Sequence, residues 1–419
     1  MSASTSSVPP PSGPARARAG QAQAGARVWR RQTQCVRGGL ERSPHGETCE
    51  ALYLTSGFRY DSAEAAEDRF SGEVPGFVYS RYANPTVAMF ESRLALIEGA
   101  EACSATASGM AAVTAALMCQ LEAGDRVVCA RTMFGSCNYV LTELLPRFGI
   151  DVELVDGPDI EGWRRALAGP ARCVFFETPA NPTLVLVDIA AVSALAHAAE
   201  ARVVVDNALA TPLLQSPLAL GADVVVYSAT KHIDGQGRCL GGAILGSESF
   251  RDDLLRPFLR HTGPALSPFN AWLLLKGLET LELRLERQCR TAARLADLLA
   301  GHRAVRRLYY PGRADHPQAG LAARQMTGGG TLVSFEVAGG RAGAFALMNA
   351  LELIDISNNL GDSKSLITHP ASSTHRSLTP IERQRIGVGD TLLRLSVGLE
   401  DVHDLADDLA RALDAALAA

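Results

Sequence analysis

The sequence predicts an α/β protein that has a mostly parallel sheet covered by helices and, after it, a smaller α/β domain. Three observations lead to this prediction. Short apolar runs that are rich in β-branched residues recur between residues 126 and 246. Apolar residues at helical spacing fill most of the gaps between these runs, which is typical of a parallel sheet covered on both faces. After about residue 265 this alternation gives way to a long helix, strand-like segments and a closing helix.

The elements of the large domain follow from periodicity and from the residues that end each segment. Helices are predicted at 85–100, which begins with proline, and at 110–124, which ends with glycine. Further helices are predicted between the strands, at 138–149 and 189–201. We predict strands at RVVCA (126–130), DVELVD (151–156), RCVFFET (172–178), RVVVDN (202–207), DVVVYS (223–228) and GAILG (242–246).

The sequence pattern of the C-terminal part of the chain predicts a second domain. Residues 267–302 have the pattern of one long helix, with Gly277 as a possible bend. Strand-like VRRLYY, GTLVSFEV and LLRLSVGL follow, and a helix begins at about residue 400. The predicted boundaries are 76–265 for the large domain and 266–419 for the smaller α/β domain.

Composition narrows the classes of function. The 419 residues have a formal net charge of −5, which does not indicate binding to nucleic acid or to an anionic membrane. No apolar run reaches the roughly 18 residues of a membrane span. The nine cysteines form no C-x-x-C pair, which favours reduced thiols in a cytoplasmic protein. Cysteines and histidines lack ligand spacing, so no metal site is predicted.

The N-terminal residues differ in composition from the rest. The first 31 are rich in Pro, Ser, Ala, Gly and Arg, and they contain neither an acidic residue nor an apolar segment of the kind found in secretory signals. We expect a disordered extension that covers residues 1–44.

Polar residues gather where three predicted strands end. Because the carboxyl ends of parallel strands meet at one edge of a sheet, these clusters should face one crevice. The sequence Ala-Ser-Gly at 107–109 precedes the helix predicted at 110, and the free N–H groups at the start of that helix would bind a phosphate. The residues concerned are Glu177 and Asn181; Asp206 and Asn207; Ser228, Thr230 and Lys231; and Ser108 and Gly109.

Each of these features alone has an ordinary structural explanation. A lysine at a strand end is more often a solvated surface residue, and an aspartate after a strand is often a turn or cap residue. Together, however, an amine, a carboxylate and a phosphate cradle match the needs of pyridoxal 5′-phosphate. The amine binds the cofactor covalently, and the carboxylate keeps its pyridine nitrogen protonated.

Seven segments between residue 45 and the chain end carry a resemblance to a known family: LYLTSGF, YSRYANPT, SGMAA, ETPANP, VVVDNALATP, YSATKHIDGQG and LRLSVGLE. Through them the chain resembles the Cys/Met-metabolism family of pyridoxal-phosphate enzymes, fold type I. The resemblance implies a seven-stranded, mostly parallel sheet in the large domain. It also implies an N-terminal arm at residues 45–75 that contacts a neighbouring subunit.

The resemblance assigns roles to individual residues. Lys231 is implied as the covalent anchor of the cofactor and as the acid/base catalyst, and Asp206 as the partner of the pyridine nitrogen. Arg394 is implied to bind the substrate carboxylate, because a planar bidentate cation fits that group. The remaining implied cofactor residues are Gly109, Met110, Ser228, Thr230 and Phe134, with Tyr79 and Arg81 from a neighbouring subunit; the implied substrate residues are Asn181, Ser365 and Tyr53.

Two positions depart from the family pattern. Many members have a tyrosine over the cofactor ring where this chain has Phe134, which can stack but has no hydroxyl for a proton step. Tyr53 from the other chain is a candidate source of a phenol. Lys364 stands where several relatives have glutamate, and we hypothesise that it favours an anionic succinyl group; the alternative is a solvent-facing lysine.

Segments such as FGSC and SATKHIDGQGRCLGG are most similar to family members that act on O-succinyl-L-homoserine. The activity implied is replacement of succinate by hydrosulfide, which gives L-homocysteine in methionine biosynthesis. The implied assembly is a homotetramer whose active sites are shared across a dimer interface, with only small molecules as substrates. A cystathionine γ-synthase or γ-lyase, an O-acetylhomoserine sulfhydrylase, and a scaffold protein without cofactor remain as alternatives.

Overall fold

The computed structural model describes residues 29–418, which form two β-sheets and the helices that cover them. The larger sheet has seven strands in the order β1-β7-β6-β5-β4-β2-β3, and all neighbours are parallel except at β7, which is antiparallel to both. The predicted α/β class with a mostly parallel seven-stranded sheet is confirmed. Its strands are β1 (Ala102–Thr106), β2 (Arg126–Ala130), β3 (Asp151–Val155), β4 (Cys173–Glu177), β5 (Arg202–Asp206), β6 (Val224–Ser228) and β7 (Gly242–Gly246).

All six strands predicted for this sheet are present, and β1 is the strand that the prediction missed. Its sequence, ACSAT, consists of small residues and has no Val, Ile, Leu or aromatic side chain, so it lacks the large apolar residues that mark the others. In β2, Val127 and Cys129 pack on one face of the sheet while Val128 and Ala130 pack on the other. Both faces are therefore covered, which explains why these strands are apolar throughout.

The helices of the first part of the chain lie on both faces of this sheet. The predicted helix at 138–149 is irregular: after a short α-helix, 140–144 form a π-helical turn and 145–148 a 3₁₀ turn. Pro146 lies in that segment and has no N–H to continue an α-helix. The α-helices are α1 (Arg31–Arg37), α2 (Ala63–Ser71), α3 (Pro85–Glu98), α4 (Gly109–Met118), α5 (Gly135–Tyr139), α6 (Ile160–Ala166), α7 (Ile189–Ala198), α8 (Thr211–Leu214) and α9 (Arg256–Thr262).

The smaller sheet has five strands in the order β10-β11-β12-β9-β8. Its apolar face packs with α11, α13 and α15 around a separate core that includes Phe335, Leu395 and Leu409. The strands are β8 (Val305–Tyr309), β9 (Leu332–Val337), β10 (Asp355–Ile356), β11 (Leu366–Thr368) and β12 (Leu392–Ser396), and the helices are α10 (Pro268–Glu279), α11 (Leu281–Gly301), α12 (Ala319–Gln325), α13 (Gly340–Ala350), α14 (Pro380–Arg385) and α15 (Val402–Ala418).

We expected residues 1–44 to form a disordered extension, but the chain is folded from α1 onward. Residues 1–28 lie outside the described part of the chain. Helix α1 buries Cys35 in the core formed by α3 and α10. The buried guanidinium of Arg93 donates from Nε to the carbonyl of Gly38 at 2.8 Å. The expectation was wrong here because these contacts, and not the composition of the segment, fix its structure.

The long helix predicted at 267–302 is two helices, and the break lies at Thr280 instead of Gly277. Gly277 lies inside α10 and serves a different purpose. A Cβ at this position would be 2.1 Å from the carbonyl oxygen of Ile233. Only glycine lets α10 approach the backbone that follows the strand β6, so the close contact positions that segment.

Replacing Gly277 with alanine should destabilise the protein, because a backbone atom cannot move away as easily as a side chain. We expect Gly277→Ala to lower the free energy of unfolding by about 1–3 kcal/mol, measured by denaturant titration. Gly301→Ala is the matched control, since a Cβ there meets nothing within 4 Å at the end of α11. Equal unfolding midpoints for the two variants would contradict this explanation.

Candidate active site

A cleft opens where β4, β5 and β6 end, and residues near the smaller sheet close its other side. It encloses about 660 Å³ of empty space, including its mouth, which is within the range of small-molecule sites. Residues from all three strand ends and from the start of α4 share this cleft. It is lined by Gly109, Met110, Val113, Phe134, Cys137, Glu177, Asn181, Asp206, Ala208, Leu209, Ser228, Lys231, Asn358, Leu360, Thr374 and Arg394.

The start of α4 forms an anion-binding corner of the cleft. The Oγ of Ser108 accepts a hydrogen bond from the N–H of Ala111 at 3.2 Å and so caps the helix. The first N–H groups of a helix have no partner within it, and here they lie beside the hydroxyl of Ser228. A Cβ on Gly109 would be 2.6 Å from the Cβ of Ser228, so glycine is required for this approach.

Lys231 extends from the end of β6 into the cleft, where its Nζ donates to Oδ1 of Asn359 at 2.6 Å. Burial, and to a smaller extent the charge of Arg394, lower the pKa of Lys231 to about 8. The backbone after the lysine is fixed by Arg284, whose Nη1 donates to the carbonyl of His232 at 2.7 Å. The amine is therefore held in one place and is neutral far more often than an exposed lysine.

Two carboxyl groups lie side by side on the floor of the cleft, because Glu177 and Asp206 are register partners in β4 and β5. Burial raises the pKa of Asp206 to about 6, although the N–H of Ala208 donates to its Oδ1 at 3.0 Å. Burial and the charge of Asp206 raise the pKa of Glu177 well above its usual range. Glu177 is thus the neutral member of the pair and Asp206 the anionic one.

Asp206 lines the cleft, and within residues 29–418 no cationic side chain forms an ion pair with it. Glu177 is already occupied, since its Oε2 accepts the N–H of Phe134 at 2.8 Å. A buried carboxylate without a counter-charge is costly, and a cationic nitrogen on a bound ligand would remove that cost. This arrangement fits a protonated pyridine ring between Asp206 and the open part of the cleft.

Arg394 lines the cleft and uses three of its five N–H donors within the chain. Its Nη1 donates to Oδ1 of Asn181 at 2.8 Å, and its Nη2 donates to the carbonyls of Asn358 and Asn359 at 2.9 and 3.0 Å. The buried Nε has no partner among the described residues. A fully buried guanidinium with an unpaired donor suits an anionic group on a ligand, such as a carboxylate.

Two predicted residues, Thr230 and Ser365, are not among the residues that line the cleft. Thr230 Oγ1 donates to the carbonyl of Gly241 at 3.2 Å and accepts its N–H at 3.1 Å. Ser365 Oγ donates to Oε2 of Glu400 at 2.9 Å and accepts the N–H of Gly398. Backbone and carboxylate partners bind these two hydroxyls in this chain, and the contacts expected of Thr230 with the phosphate and of Ser365 with the substrate stay predictions.

The residues expected to act across a subunit interface lie on the surface of this single chain. Tyr79 and Arg81 are outside the cleft, with the Arg81 guanidinium 5.5 Å from the centre of the Tyr79 ring. The backbone of Tyr53 is fixed by Thr86 and Asn84, also away from the cleft. Lys364 likewise lies outside, where its exposed Nζ is 3.6 Å from Asp362, so the structure favours the solvent-facing alternative.

The sequence prediction missed residues that line the cleft from loops of the C-terminal part. Asn358, Leu360 and Thr374 lie on its wall, and Asn359 binds the lysine. The only local signal is the pair of asparagines before Gly361, which is typical of any turn. Within residues 29–418 there is no group of three or more acidic, His or Cys side chains that could hold a metal ion.

The family model that matches this sequence describes Cys/Met metabolism PLP-dependent enzymes, and the match covers residues 32–414. This chain belongs to that family. The match starts 13 residues before the resemblance noted above and includes α1. The chain is therefore a pyridoxal-phosphate-dependent enzyme of fold type I, and the cleft residues whose chemistry fits that cofactor are Lys231, Asp206, Ser228 and the start of α4.

Two relatives with the same name cover most of this chain. The chain is 58% identical over 384 residues to a Mycobacterium tuberculosis protein named O-succinylhomoserine sulfhydrylase, covering 90% of this chain and 94% of the relative. A Pseudomonas aeruginosa protein of the same name is 48% identical over 383 residues, with coverage of 91% and 95%.

A solved structure supplies the link to the cofactor. A putative O-acetylhomoserine (thiol)-lyase from Campylobacter jejuni matches with a TM-score of 0.88 and 30% identity, covering 92% of this chain and all of that one. It contains an N′-pyridoxyl-lysine-5′-monophosphate.

Among the helices of residues 29–418, none is both long and apolar enough to cross a membrane.

The pH dependence of cofactor capture should report the lowered pKa of Lys231. Only the neutral amine attacks an aldehyde, so the rate constant for binding of pyridoxal phosphate to the apoenzyme should rise with pH and level off above about 8. An ordinary lysine would level off only above about 10.4. Rates measured with Nα-acetyl-lysine correct for titration of the cofactor itself. A profile that keeps rising to pH 10 would contradict the assignment.

Removing the guanidinium of Arg394 should weaken substrate capture more than cofactor binding. We expect Arg394→Gln to reduce kcat/KM by roughly 100-fold, the scale of a lost buried charge contact, mainly through KM. Visible absorbance of the bound cofactor should remain, which serves as the control for folding. A variant with normal absorbance and normal KM would show that another group binds the carboxylate.

Proposed function

We propose that this enzyme replaces the succinyl group of O-succinyl-L-homoserine with hydrosulfide, giving L-homocysteine and succinate. The observation that carries the proposal is that Lys231, Asp206 and Arg394 share one cleft. The names of the two relatives at 58% and 48% identity support the choice of substrate. Methionine biosynthesis by direct sulfhydrylation is the corresponding pathway.

Each residue of the cleft has a defined task in this reaction. Arg394 binds the α-carboxylate of the substrate and so fixes the position of its Cα. Lys231 Nζ, when neutral, accepts the proton from Cα and later returns one, and its lowered pKa makes this possible near neutral pH. Asp206 keeps its negative charge opposite a cationic ring nitrogen. When bound, the cofactor supplies the electron sink for the charge that develops at Cα.

The phosphate group fits the start of α4. The N–H groups of Gly109 and Met110 and the Ser228 hydroxyl are uncharged donors, and the helix dipole favours an anion at this end. Phe134 also lines the cleft and offers an apolar face to an aromatic ring, without a hydroxyl for proton transfer. Proton transfer at Cα therefore depends on Lys231 in this chain.

We further propose a cytoplasmic homotetramer in which neighbouring chains complete the cleft. The arm at residues 45–75 and the segment with Tyr79 and Arg81 support this, since they expose apolar side chains such as Leu54 and Phe70. None of the nine cysteines forms a disulfide in the described part of the chain, as in a reducing compartment. The proposed domains are 76–265 and 266–419, and each contains one of the two sheets.

Product analysis distinguishes the proposed activity from its alternatives. With O-succinyl-L-homoserine and equal concentrations of sulfide and cysteine, we expect homocysteine as the main product and cystathionine as the minor one. The acetyl ester should react more slowly under the same conditions. Lys231→Ala is the control and should lose both the visible absorbance of the bound cofactor and turnover.

Other products would identify the alternative enzymes. A predominance of cystathionine would indicate a cystathionine γ-synthase, and release of a keto acid without any added thiol would indicate a γ-lyase. Faster reaction of the acetyl ester would indicate an O-acetylhomoserine sulfhydrylase. Turnover by Lys231→Ala would overturn the role assigned to that lysine.

A further inference from the structure

The segment from Ser357 to Gly361 touches both cationic groups of the cleft. Its Asn359 side chain accepts the hydrogen bond from Lys231 Nζ at 2.6 Å. The carbonyls of Asn358 and Asn359 accept from Arg394 Nη2 at 2.9 and 3.0 Å. Asn359 thus contacts the lysine with its side chain and the arginine with its backbone, although it lies 128 residues from Lys231 in sequence.

This segment is fixed firmly against the backbone next to Lys231. Gly361 has φ +73°, and a Cβ there would be 2.7 Å from the backbone nitrogen of His232. The N–H of Gly361 donates to Oγ of Ser396 at 2.9 Å, and Leu360 is buried. The amide of Asn359 therefore has a defined position relative to the lysine.

An amide suits this position because it is a neutral acceptor. It orients the amine without adding a negative charge that would stabilise the ammonium form. The titratable and charged groups that face Lys231 across the cleft are Arg394, Asp206 and Glu177, and His232 follows it in the chain. Burial and Asp206 keep Glu177 neutral, and within residues 29–418 no carboxylate forms an ion pair with the amine.

We propose that Asn359 is a positioning residue, whose side-chain amide holds the amine of Lys231 at the cleft whenever that amine is not bonded to the cofactor. The inference rests on the proposed role of Lys231 as covalent anchor and proton carrier. In the step concerned, the amine adds to the aldehyde carbon, a C=N bond forms and water leaves. Asn359 neither gains nor loses a proton in that step; it fixes where the nitrogen starts.

The test follows capture of pyridoxal phosphate by the full-chain apoenzyme, monitored by visible absorbance as a function of pH. Asn359→Asp places a carboxylate on the amine, so the half-maximal rate should move to higher pH by about one unit or more. Asn359→Ala should lower the plateau rate constant by roughly 10-fold, because the amine is no longer held in position. Turnover of the reconstituted enzyme should fall through kcat more than through KM.

Asn349→Asp is the matched control, since it makes the same chemical change at an exposed position in α13 and should leave the profile unchanged. Asn359→Ser keeps a neutral acceptor on a shorter side chain and should restore part of the rate lost in Asn359→Ala. If Asn359→Asp is insoluble, the test of the inference is whether Asn359→Ser captures the cofactor at a higher plateau rate constant than Asn359→Ala. Capture by Asn359→Ala at the unaltered rate and with the unaltered profile would overturn the inference.

Failure of this inference and failure of the proposed function give different results. Capture of the cofactor requires no substrate, so it does not depend on which ester or thiol the enzyme uses. If Lys231→Ala still captured the cofactor covalently, the assignment of the lysine would be wrong. If wild type behaved as expected and the Asn359 variants did not differ from it, only the positioning role would be lost.

Discussion

The cleft depends on the burial of three neighbouring parallel strands, β4, β5 and β6. Their apolar residues are almost completely inaccessible, and covering helices on both faces leave them no alternative position. Burial fixes the register, in which Glu177 pairs with Asp206 and Asp206 with Val226. A shift of one residue would exchange the side chains between two differently packed buried faces and move each polar residue off the sheet edge, so core packing and site geometry are one constraint.

The electrostatics of the cleft follow from the same burial. Desolvation lowers the pKa of Lys231 and raises that of Asp206, while Arg394 stays charged at any physiological pH because its pKa remains about 10. The site therefore has one permanently charged guanidinium and a set of helix N–H groups that favour anions. An α-carboxylate would pair with the guanidinium, a phosphate would accept from the N–H groups, and a cationic ring nitrogen would pair with Asp206. The ligands complete the charge balance that the protein alone leaves unfinished.

Local patterns were sufficient to predict the fold class and the residues at the strand ends. Runs with large apolar residues mark six of the seven strands; Asp206 and Ser228 are the last residues of two of them, and Lys231 follows three residues after Ser228. The strand β1 was missed because its small residues are buried by neighbours and not marked by their own propensity. The break at Thr280 was misplaced to Gly277 for a similar reason, since the glycine serves a distant contact with Ile233.

The site residues that sequence alone did not reveal are those whose partners are far away along the chain. Asn359 meets Lys231 across 128 positions, and Asn358 meets Arg394 across 36. This long-range placement fixes both cationic groups of the cleft. The carbonyls of Asn358 and Asn359 accept from Arg394, and the side chain of Asn359 accepts from Lys231, so one short segment sets the positions of the guanidinium and the amine. No local pattern marks this arrangement, because it forms only when the segment packs against the backbone that follows β6.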